Sequence, residues 1–171
     1  MTEDEWLSCG DPDPMVRALP VDRHQRELRL FALTCARRAW HLLPPESRAV
    51  VEVAERLADG RAAIVELHAA LAAADRVAQA HWSGGRSPDA RAYAESAAID
   101  ASSEWPHTAA NVLAATSCAA SALACAASAL ACAAADPQPD GEYDRVYDAA
   151  RVAELAAQAD LLRGLVSVPH E

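Results

Sequence analysis

Three thiols stand at regular spacing: Cys118-Ala-Ala-Ser121-Ala-Leu123-Ala is followed by Cys125-Ala-Ala-Ser128-Ala-Leu130-Ala and closed by Cys132. Cysteine is a nucleophile, a redox group and a soft metal ligand, so a periodic row of it raises all three chemistries. Helix geometry answers most of the question. Seven residues of helix rise about 10.5 Å, whereas a disulfide needs Cα atoms roughly 4.4–6.8 Å apart. Two such thiols cannot share one zinc ion at a Zn–S distance near ~2.3 Å either, and no matching Cys or His series exists elsewhere to complete a site. The row therefore reads as small hydrophobic packing, with Cys beside Ala and Ser letting a neighbouring backbone approach.

The other reactive side chains meet similar limits. Cys35 and His41 are six residues apart, which sets them on diverging faces of one helix and defeats a thiolate–imidazole pair. Glu52, Glu55 and Asp59 recur at helical spacing and stack three carboxylates on one face. With His41 they are the alternative ligand set for a divalent metal; a solvated acidic face, or pairing with Arg37 and Arg38 on the preceding helix, is the simpler expectation. Glu104-Trp105-Pro106-His107 has the Glu-x-x-His order of di-iron bundles, but Pro106 interrupts it and no second copy follows. No phosphate-binding glycine loop, serine elbow or Cys-x-x-Cys is present, and every basic residue is arginine, which removes Schiff-base lysines. These residues predict no catalytic group, no cofactor and no metal.

The elements that would position these residues are helices throughout. Thr2 with Glu5 reads as a capping box, and Asp13-Pro14 as the cap and first turn of a second short helix. Asp22 is placed to cap a third, running to about Leu43 with Leu28, Phe31, Cys35 and Leu42 inward. Pro44-Pro45 stop it and open a fourth with Val50, Ala54 and Leu57 inward, ended by Asp59-Gly60. Further helices follow from Ala62 to Trp82, over 88–103, through the Ala/Cys tract, and from Tyr143 to Val166. No segment alternates long enough for a strand. The fold class is all-α: a single-domain antiparallel bundle over residues 1–171 with a buried central helix rich in Ala, Cys and Ser. Its parts are short helices at 1–21, a motif-bearing pair at 22–60, Ala-rich helices at 61–135, a loop at 136–142 and a last helix at 143–166.

Both ends of the chain carry a recognisable pattern. The opening Met1-Thr2-Glu3-Asp4-Glu5-Trp6-Leu7-Ser8-Cys9 with Asp11-Pro12 and Met15, the run Leu28-Arg-Leu-Phe-Ala-Leu-Thr-Cys35-Ala-Arg37-Arg38-Ala-Trp40-His41, Val51-Glu52-Val-Ala-Glu55-Arg56-Leu-Ala-Asp59-Gly60, and the late Gln158-Ala-Asp-Leu161-Leu162-Arg163 resemble an uncharacterised bacterial family expanded in planctomycetes. The resemblance covers about half the chain, flanks a variable Ala-rich middle, and implies no activity. Two departures stand out: Cys35-Ala36 replaces a frequent double Cys, and Ser167-Val168-Pro169-His170 replaces a terminal Gly-Asn-Pro-Phe.

Charge bounds the partners. A formal net charge of −10 argues against nucleic acid and anionic membranes, which both demand clustered positive charge. The apolar tract is long enough to span a bilayer, yet Val112, Leu113, Leu123 and Leu130 each add only about −0.3 to −0.6 kcal/mol on an insertion scale, so no membrane span is expected. The acidic N-terminus lacks the pattern of a signal peptide, and an odd count of cysteines fits reduced thiols in a cytoplasm. The expected function is that of a non-enzymatic module working through a protein partner or self-association, with Trp6, Trp40, Trp82, Trp105, Arg37 and Arg38 as its contact residues.

Overall fold

The computed structural model describes residues 1–82, 89–103, 109–134 and 141–166. They form α1 (Glu3–Ser8), α2 (Pro12–Ala18), α3 (Gln25–Arg38), α4 (Pro45–Ala58), α5 (Ile64–Trp82), α6 (Ala90–Ser102), α7 (Ala109–Ala134) and α8 (Glu142–Leu165), with single 3-10 turns at Val21–Arg23 and Trp40–Leu42. No strand occurs among the described residues, and the protein is an all-α bundle.

Helix ends follow local chemistry. The Thr2 hydroxyl accepts from the Glu5 amide at 3.2 Å while the Glu5 carboxylate accepts from the Thr2 amide at 2.7 Å, which completes the capping box. The second helix starts one Asp-Pro pair earlier than expected: Asp11 is the cap, accepting from the Asp13 amide at 2.9 Å, and Pro12 fills the first turn. Asp22 does not cap α3. It lies within a 3-10 turn, and His24 precedes the helix without a side-chain cap bond. That helix also ends at Arg38 rather than near Leu43, because the chain tightens into the Trp40–Leu42 turn before Pro44 and Pro45 open α4. Gly60, at φ 69°, supplies the left-handed residue that closes α4.

α7 is the axis of the bundle, packed against α6 and α8 and touching α2 and α3. The facing helices are lined by alanine: Ala94, Ala97, Ala98 and Ala101 of α6 and Ala115, Ala119 and Ala122 of α7 are fully buried. Alanine loses no side-chain entropy on burial, so these helices gain close backbone approach at little conformational cost. Larger side chains complete the same core, where Trp6, Met15, Leu28, Phe31, Leu33, Leu67 and Leu162 are enclosed. The expected buried central helix is buried along one side only: Ser121, Cys125 and Ser128 face inward and Cys118 and Cys132 are half-buried, but Leu130 is 73% exposed. Length explains it. α6 has 13 residues and α7 has 26, so α6 spans only about half of its neighbour at roughly 1.5 Å per residue. None of the five cysteines is in a disulfide.

The two ends of the chain meet. Arg163 of α8 donates through Nη1 to the carbonyls of Trp6 at 3.1 Å and Cys9 at 2.7 Å, closing the turn between α1 and α2 onto the last helix.

Candidate interaction surface

The last turn of α3 carries Arg37 and Arg38, cations placed where the helix dipole is negative. Successive residues on a helix point about 100° apart, so the two guanidiniums leave in different directions and find different partners. Arg37 reaches α4 and holds Glu55 through two bonds, Nε to Oε1 at 2.8 Å and Nη2 to Oε2 at 2.6 Å. Its guanidinium also lies 3.9 Å over the Trp40 ring, with Arg48 at 5.4 Å from the same ring and donating to the Trp40 carbonyl at 3.3 Å. Trp40 is thus a half-buried platform between two cations.

Arg38 reaches α8 instead. It grips Glu154 with Nε to Oε1 and Nη2 to Oε2, both 2.6 Å, and the Glu154 side chain is only 7% exposed. Gln158, one turn on, donates 3.2 Å to Glu154 and 3.2 Å to the Thr116 carbonyl of α7, so one polar network joins α3, α7 and α8. Hydrogen bonding to Glu154 raises the proton affinity of Arg38 against the opposing effect of burial. Cys35, enclosed on the same helix, has its thiol pushed far up by burial, then by Glu154, which keeps it an inert hydrophobe. Beside this network an open groove of about 520 Å³ runs between α3 and α8, lined by Arg38, Ala157, Asp160, Leu161, Gly164 and Leu165.

The residues singled out by sequence separate into several places. Arg37 meets the acidic face at Glu55, whereas Arg38 does not; its partner is on α8, because the two side chains diverge. His41 and Glu52 are exposed, Glu55 is occupied by Arg37, and Asp59 pairs with Arg61 at 2.5 Å. His41, Glu52, Glu55 and Asp59 therefore do not gather, and among the described residues no three His, Cys, Asp or Glu side chains converge as a metal set. Trp6, at 1% exposure, is core and not a contact residue: it is a large apolar side chain on a short helix that has nothing else to bury. The Trp82 side chain, Trp105, Glu104 and His107 lie outside the described residues. Glu154 and Gln158 were not foreseen. Their signal was their spacing, four apart from each other and from Leu162, which sets two polar residues in the inward stripe of α8.

The chain matches no protein-family model, no curated protein and no solved structure.

Proposed function

We propose that the protein is a non-enzymatic helical module acting through contact with a protein partner or with itself, and that the groove between α3 and α8 is where contact is made. The observation that carries this reading is the contrast between the two kinds of surface. The candidate reactive groups are scattered or already paired, while the groove combines apolar walls from Leu161, Leu165 and Ala157 with a half-exposed cation, Arg38, held rigid by Glu154. A fixed arginine beside apolar contact area suits a protein surface, where such anchors dominate binding. The planctomycete resemblance belongs to this proposal as family membership without an activity. A bacterial cytoplasmic setting agrees with five cysteines outside any disulfide and with the net charge of −10.

α7 is, by length and composition, long and apolar enough to cross a membrane. Its place between α6 and α8 and the bond from Gln158 to its Thr116 carbonyl favour the role of bundle axis. Sedimentation of the pure protein over a concentration series, with Leu165→Asp and Ala157→Arg as groove variants, tests the proposal. Self-association, or cross-linking to one partner in cells, is expected to fall in both variants with helicity intact. Contact unaffected by either change, or stoichiometric metal lost on replacing His41, Glu52 or Glu55 in a folded protein, would refute it.

A further inference from the structure

The last turn of α5 carries His81, and both nitrogens of its ring face carboxylates belonging to α6 and its cap. Nδ1 lies 3.2 Å from Oε2 of Glu95, which is 0% exposed and whose Oε1 accepts from Arg91 Nε at 2.8 Å. Nε2 lies 3.5 Å from Oδ2 of Asp89, the residue that caps α6. The other Asp89 oxygen accepts from the Ala92 amide at 2.9 Å, which fixes Oδ2 toward the ring. Among the described residues these are the charged groups that meet the imidazole: Glu95 and Asp89 directly, with Arg91 behind Glu95.

A neutral imidazole has two tautomers, and each carries one N–H and one lone pair. Whichever nitrogen holds the proton, the other sets its lone pair against a carboxylate oxygen. Imidazolium alone donates on both sides, and at the C-terminal end of α5 its charge also meets the negative end of the helix dipole. We propose that His81 is a pH-sensitive clasp: charged, it ties the end of α5 to the buried Glu95 and to the cap of α6; neutral, it keeps one carboxylate and drops the other. The one dropped is Asp89. Its side chain is 62% exposed and turns to water at little cost, whereas Glu95 is enclosed and has no water to turn to. The Ala92 amide keeps Oδ1 of Asp89 in either state, so α6 stays capped and only the tie from α5 is lost. The clasp is independent of the groove between α3 and α8.

Acid closes the clasp and base opens it. Histidine without neighbours loses its proton at about pH 6.5, while the Asp89 carboxyl is held below its usual 3.8, first by the Ala92 amide and then, against burial, by His81. At about pH 5.5 Asp89 is therefore still ionised and able to hold the ring. Hydrogen exchange of the full chain at about pH 5.5 and about pH 8, read by mass spectrometry on peptides covering 76–82 and 89–95 and corrected for the intrinsic pH dependence of exchange, tests this. The last turn of α5 is expected to be about three- to tenfold better protected at the lower pH, the scale of a partly exposed ion pair joined to a helix-end charge, while the first turn of α6 changes little. His81→Gln should abolish the difference. Asp89→Asn keeps a capping oxygen and turns an amide N–H to the ring, which a neutral imidazole accepts, so it should abolish the difference as well. Equal protection at the two pH values, protection that grows toward the higher one, or a difference that survives in both variants overturns the proposal. Asp89→Asn decides the matter should His81→Gln loosen the packing over Glu95.

Discussion

Arg37 and Arg38 are neighbours in sequence, and each holds a carboxylate with the same pair of nitrogens at 2.6–2.8 Å. They differ in what surrounds the acid. Glu55 is 35% exposed and Arg37 37%, so that pair sits in screened solvent, where ion pairs contribute about 0–1 kcal/mol. Glu154 is 7% exposed while Arg38 is 38%, so deleting the arginine leaves a largely buried carboxylate with Gln158 as its remaining donor. For a fully buried pair that deletion costs about 3–5 kcal/mol; with the arginine itself partly screened, we expect about 2–4 kcal/mol for Arg38→Met. Arg37→Met should cost about 0.5–2 kcal/mol, of which the stacking on Trp40 supplies about 0.5–1. Urea unfolding at low salt measures both. Because the Debye length shrinks from about 10 Å at 0.1 M to about 3 Å at 1 M, the Arg37 difference should shrink in 1 M salt while the Arg38 difference persists. A third variant checks the cause. Arg38→Met with Glu154→Met removes both charges, and replacement of a buried pair by apolar side chains is close to neutral, so most of the lost stability should return. Equal costs for the two arginines, or a double variant no more stable than Arg38→Met alone, would refute the argument from burial.

Other outcomes follow from the same packing. Trp6→Ala empties a fully enclosed site and should cost about 3–5 kcal/mol, seen as a fall in melting temperature of about 2–4 °C per kcal/mol for a chain of this size. Cys125→Leu should overpack the α7 stripe at about 1–3 kcal/mol, whereas Cys125→Ala should cost less. Burial, and secondarily Asp100, raises the Cys118 thiol from 9.0 to about 11. Its labelling should be slow at neutral pH, and because the unfolded chain loses that proton first, stability should decline as pH climbs from 9.0 toward about 11; a Cys118→Ser variant with the same decline would count against this. Burial also raises the Asp100 carboxyl, so the ionised form is the disfavoured one in the fold. Asp100→Asn should therefore stabilise the protein at neutral pH, with the gain shrinking in acid and gone below 3.8, where the unfolded carboxyl is protonated as well.

Legibility in the sequence tracked the range of the interaction. The capping box of Thr2 and Glu5 acts over three residues and was readable, as were the Pro44-Pro45 break and the Asp59-Gly60 stop. The repeated Asp-Pro of residues 11–14 offered two equivalent starts, and only the Asp11 to Asp13 bond selects the first. The pairing of Arg37 with Glu55 followed from one proline turn folding two helices together. Arg38 with Glu154 spans 116 residues, and no periodicity relates the two ends of such a pair. Glu95 was equally hidden: amid alanines it looks like a solvated residue, and its burial depends on α5 bringing His81 over it.

The closure of the N-terminal turn by Arg163 bears on how the chain is made. The carbonyls of Trp6 and Cys9 wait 157 and 154 residues for the guanidinium that ties them down. On a ribosome, α1 and α2 emerge long before α8, which carries the guanidinium that holds their turn. The turn between α1 and α2 lacks this tie until α8 has been made, although α2 can already lean on α7. The turn between α1 and α2, made before α8, is on this account fully protected only after α8 is available, a delay that a pulse of protease on stalled nascent chains of increasing length would reveal.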